Sequence, residues 1–74
     1  MTYYKKNEMI FYRIDESNKS YLEVFDNGGS QSRIMEINDT TLYDQLTQRL
    51  VNQSFDVCTQ QQFEDKLAQT KLRF

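Results

Sequence analysis

Cys58 is the one thiol in this chain, and no histidine accompanies it. A thiolate nucleophile needs a base or a positive field. Cys58 lies just before a predicted helix start, where the helix N-terminus lowers a thiol's pKa. Its other reading is a small apolar residue buried between a strand and a helix, and that reading is preferred because free cysteine is among the most buried residue types. The carboxylate pairs Asp15-Glu16 and Glu64-Asp65 fall in a polar turn and on a helix surface. General acid chemistry needs a desolvated carboxyl, which neither place provides.

Asp26-Asn27-Gly28-Gly29-Ser30 has the residue types of a calcium or phosphate loop. A calcium loop requires further acidic ligands and a glutamate at fixed spacing. A phosphate loop requires a following helix and a lysine, and here a strand-like segment follows. The stretch reads as a flexible turn. Tyr3-Tyr4-Lys5-Lys6, taken with Phe11, Arg13 and Phe25, has the aromatic and cationic groups of a stacking platform for single-stranded nucleic acid. Glu23 and Glu36 fall within that platform and repel phosphate, and the net charge is −2, from 9 basic and 11 acidic residues. Nucleic acid is therefore the weakest of the partner readings. No catalytic, metal or cofactor site is expected, and the chain reads as non-enzymatic.

The elements that must position these residues follow from periodicity. Residues 1–7 read as a mobile polar arm and 8–74 as a single α+β domain. Residues 9–15, 21–25 and 33–37 are rich in β-branched and aromatic side chains and are separated by DESNKS and by DNGGSQS, so they predict strands in an antiparallel meander. Leu42, Leu46 and Leu50, with Tyr43, form one stripe of a helix over 38–53 with Asp39 or Thr40 as N-cap. Thr59 and Gln62 match a capping box, and Phe63 and Leu67 give the buried side of a second helix. The expected fold is a three-stranded antiparallel meander followed by two helices packed on one face: βββαα, or βββαβα if residues 55–58 pair as a strand.

Residues 8–15, EMIFYRID, carry apolar groups on both phases of a two-residue alternation. A strand covered on one side alternates, so one phase needs cover from elsewhere. Pairing strands one and two with residue numbers summing to about 36 places Tyr12 opposite Val24, Phe11 opposite Phe25 and Arg13 opposite Glu23. Pairing Val24 with Met35 then gives one apolar face: Ile10, Tyr12, Ile14, Leu22, Val24, Met35 and Ile37. The second face is Met9, Phe11, Arg13, Tyr21, Glu23, Phe25, Ile34 and Glu36. With both helices on the first face, the second is a half-apolar surface open to a partner. Met9, Phe11, Phe25 and Ile34 are its anchors, and Arg13, Glu23 and Glu36 set register at its rim.

The functional expectation is a small non-enzymatic protein-interaction module, a subunit or accessory of a larger assembly or a homo-oligomer, whose partner is another protein or a second copy. The alternative is a small inhibitor of a partner protein, of the kind phages and mobile elements direct against host defences. Asn18, Asn38 and Asn52 begin N-x-S/T triplets, but nothing resembles a signal peptide. The lone cysteine fits a reducing compartment, so the expected location is the cytoplasm with no membrane partner.

Overall fold

Helix α1, Thr40–Asn52, starts where Asp39 accepts the Leu42 N–H on its side chain. Helix α2, Gln60–Lys71, starts with a complete capping box: Thr59 accepts the Gln62 N–H, and the Gln62 side chain accepts the Thr59 N–H. These caps satisfy backbone donors that a helix cannot satisfy within itself. The computed structural model describes residues 1–74 and places the two helices on opposite sides of one five-stranded antiparallel sheet.

The strands are β1 (Thr2–Lys5), β2 (Ile10–Asp15), β3 (Ser20–Phe25), β4 (Arg33–Ile37) and β5 (Asp56–Val57). Their order across the sheet is β4-β3-β2-β1-β5. The α+β class holds, with more strands than the meander of three. Residues 1–7 are not a free arm: Thr2–Lys5 pairs with β2 on one side and β5 on the other. Residues 55–58 contribute the short edge strand, whose pairing is continued by the Cys58 N–H donating to the Tyr3 carbonyl at 3.0 Å.

The register differs from the expected one by a single residue. Phe11 pairs with Val24, Tyr12 with Glu23, Arg13 with Leu22 and Ile14 with Tyr21. On the other side Glu23 pairs with Met35 and Val24 with Ile34. A one-residue slip exchanges the faces of a strand relative to its neighbour. Each face therefore receives apolar residues in its middle. Phe11, Val24, Cys58 and Phe63 form one core, with Tyr3, Leu22 and Leu67 packed against it. Tyr12, Ile14, Leu46 and Phe55 form the other, with Tyr4, Ile10, Tyr21, Tyr43 and Leu50 around it. The helices do not share one face, and the expected single apolar face does not exist. Of its members, Tyr12 and Ile14 face α1, Leu22 and Val24 face α2, and Met35 is 42% exposed.

The connectivity allows this two-sided cover, and the apolar residues on both phases of β2 require it. β4 and β5 lie at opposite edges, four strand spacings or about 19 Å apart. The 13 residues of α1 span about 20 Å, enough to carry the chain from one edge to the other. α2 then returns over the opposite face, and Thr70 and Arg73 at its far end reach Asp26, just after β3. The two crossings run on opposite faces, α1 over Tyr12 and Ile14 and α2 over Phe11 and Val24. Neither helix is long and apolar enough to cross a membrane.

Candidate functional site

The one-residue shift takes apart the surface expected on the second face. Phe11 is 5% exposed, inside the α2-side core, with the Lys5 and Lys66 ammonium groups 5.9 and 5.3 Å from its ring centroid. It is a core residue whose ring is flanked by these two cations. Arg13 is half-buried on the same face, its guanidinium 5.7 Å from the Phe63 ring centroid. The expected charged lane of Arg13, Glu23 and Glu36 becomes Arg13, Leu22 and Glu36, bordering a groove of about 210 Å³. Glu23 and Phe25 move to the α1 face. Met9 precedes β2, is 45% exposed, and accepts the Asp26 N–H on its carbonyl at 2.8 Å.

Ile34 and Glu36 are the expected site residues that sit on the open edge of the sheet. β4 is the last strand in the order, so its outer backbone groups have no partner strand in the chain. It carries apolar side chains on both faces. Ile34 lies half-buried on the α2 side, and Met35 and Ile37 lie on the α1 side, exposed and half-buried. Natural edges are blunted by charged side chains, proline, bulges or shortness; β4 is five residues long, contains no proline, and carries two charges, Arg33 and Glu36. The other edge, β5, has only the two residues Asp56 and Val57.

Two charges lie on β4. Arg33 folds back onto β3: its guanidinium sits 4.8 Å from the Phe25 ring centroid, and Nη2 donates to Glu23 at 3.3 Å. Glu36 is exposed and pairs with no cation. Glu36 is thus the one unpaired charge on β4, negative and on the α2 side, beside the apolar Ile34, Met35 and Ile37.

The start of β4 is anchored by a buried carboxylate that, in the sequence, reads only as part of a flexible turn. Asp26 accepts the Gly28 N–H at 2.7 Å, the Ser32 hydroxyl at 3.2 Å, and Arg73 Nε at 3.2 Å. The Thr70 hydroxyl, which donates to the Lys66 carbonyl at 2.7 Å, lies 3.4 Å from its other oxygen. Burial pushes this carboxyl up, but the Gly28 N–H, the Arg73 guanidinium and the Ser32 hydroxyl together hold it below the usual aspartate value. Gly28, at φ 82, takes the left-handed conformation that closes the turn. The loop into β4 is thus tied to the end of α2. The local sequence signal is an Asx turn, Asp two residues before glycine; nothing local points to Arg73.

The other chemically suggestive groups are dispersed. Cys58 is buried, and burial pushes its thiol up, with Lys5 only partly opposing. Asp15 bonds Asn18, and Asp65 accepts from Gln61. No group of three or more cysteine and acidic side chains converges on a common point. Comparison with protein-family models, with curated proteins and with solved structures finds no match to this chain.

Proposed function

We propose that this chain is a non-enzymatic protein-interaction module that receives an extended segment of a partner on the outer edge of β4. The observation that supports the reading most directly is the unpaired edge of Arg33–Ile37, with apolar side chains on both faces. Strand addition uses two kinds of contact. Main-chain hydrogen bonds give affinity, and the alternating side chains give selectivity. The Asp26 network holds the loop before β4 in place, so less ordering entropy is lost on binding. The binding residues in this reading are Ile34, Met35, Glu36 and Ile37, with Arg33, Glu23 and Phe25 as the support behind them. The unpaired thiol of Cys58 fits work in a reducing compartment such as the cytoplasm.

Amide hydrogen exchange tests the reading. With extended peptides from a randomised display library, bound forms are expected to slow exchange at Arg33–Ile37 and to leave the β5 edge unchanged. If bound peptides instead protect the helices or the groove beside Arg13, the edge reading is wrong.

A further inference from the structure

We infer that the partner segment comes from a different chain and carries a lysine or arginine opposite Glu36, with apolar residues on either side of it. The inference rests on the edge reading above and adds the partner's chemistry. It follows from parity. In an antiparallel sheet, directly paired residues share a face. Arg33, Met35 and Ile37 point to the α1 face, and Ile34 and Glu36 to the α2 face. A second copy extending the same sheet about a two-fold axis keeps each face continuous. Arg33 and Glu36 lie on opposite faces, so no register of such a pair brings them together. The register centred on Met35 sets Glu36 against Ile34 of the other copy, and the register centred on Glu36 sets two carboxylates against each other. The registers centred on Ile34 and Ile37 set Glu36 against the neutral Ser32 and Asn38, so self-pairing on β4 gives Glu36 no cation as it loses water, which is unfavourable.

A foreign strand has no such constraint. Read antiparallel to β4, its residues fall opposite Ile37, Glu36, Met35 and Ile34 in turn. The complementary order is apolar, basic, apolar, apolar. The residue opposite Arg33 is left unspecified, because Arg33 is already held by Phe25 and Glu23. A cation opposite Glu36 forms a cross-strand ion pair, and an anion there is repelled.

The test uses the full chain and two blocked synthetic peptides built around Val-Lys-Val-Ile-Thr and Val-Glu-Val-Ile-Thr. Affinity is read by fluorescence polarisation and the site by amide exchange. The lysine peptide is expected to bind about fivefold to tenfold tighter than the glutamate peptide. The preference should shrink in high salt. Glu36→Lys, confirmed folded by circular dichroism, is expected to invert the preference. Equal binding of both peptides, with β4 protected, would overturn the charge rule and leave the edge reading standing. If neither peptide nor any library peptide protects β4, the edge reading falls as well. A dimer in light scattering that Met35→Lys dissociates would overturn the choice of a foreign partner.

Discussion

Phe11 and Tyr12 are neighbours in β2, yet they belong to different hydrophobic cores. Phe11 lies with Val24 and Phe63 beneath α2, and Tyr12 lies with Leu46 and Phe55 beneath α1. One strand thus nails two layers together, and its near-continuous apolar composition is what burial on both faces requires.

The first prediction separates core from edge. Phe11→Ala should destabilise the fold by about 3–5 kcal/mol, as expected for truncating a buried aromatic, which is most of the stability of a small domain. Met35→Ser should stay within about 0.5 kcal/mol of the native chain. Urea unfolding followed by circular dichroism checks both.

The second concerns Asp26. Its folded pKa lies below its unfolded value, so its contribution is present above the unfolded pKa and is lost as pH falls through the folded one. Asp26→Asn should lower stability at pH 7 by about 1–3 kcal/mol, the range for buried partners left unsatisfied. It should also flatten the stability curve below the ordinary aspartate pKa. Chemical unfolding at a series of acidic pH values reads both effects.

A third prediction lies on the alkaline side. Burial, reinforced by Glu23 and partly opposed by Arg49, pushes the Tyr12 phenol from 10.0 up to about 12. Its contribution to stability is complete below the unfolded value and is lost as pH rises from there through the folded one. Ultraviolet titration should show a late-ionising phenol that Tyr12→Phe removes.

Deletion of residues 1–5 supplies a fourth. A free arm would be dispensable. As a strand with Tyr3 packed against one core and Tyr4 against the other, its loss should abolish the cooperative unfolding transition. The thiol of Cys58, slow to react in the native chain, should then label with dithionitrobenzoate at a rate near that of denatured protein.

Much of this architecture is legible in the residues. Strands β2, β3 and β4, both helices, the Asp39 cap and the Thr59–Gln62 box all lie within about two residues of where the pattern places them, the usual ambiguity at element ends. Register is not legible. Matching Phe11 to Phe25 and Arg13 to Glu23 relies on cross-strand contacts that stabilise by roughly 0.2–1 kcal/mol each. The observed register buries Phe11 and Val24 under one helix and Tyr12 under the other, and a fully buried large side chain contributes about 1.5–3 kcal/mol. Burial therefore outweighs cross-strand matching, and it depends on both faces being covered, which the helical stripes alone do not reveal. Thr2–Lys5 is hard to read as a strand because four residues with tyrosines on both phases and a lysine at the end have no clear alternation. The candidate site moved with the register: Ile34 and Glu36 kept a place in it, Met35 left the expected core for the edge, and Phe11 made the opposite move.

The place of β1 in the sheet sets an order of assembly. Tyr4 pairs with Val57, a separation of 57 − 4 = 53 residues, whereas β2, β3 and β4 are joined by short turns. Closing the long loop has to wait for most of the chain to be made, and its entropy is recovered only when Phe55 and Cys58 dock. On the ribosome the nascent sheet would thus expose β1 as a second open edge until residues 55–58 emerge. Phe55, buried in the α1-side core, should then form its native contacts after the folding transition state, so that its replacement quickens unfolding and leaves the folding rate nearly unchanged.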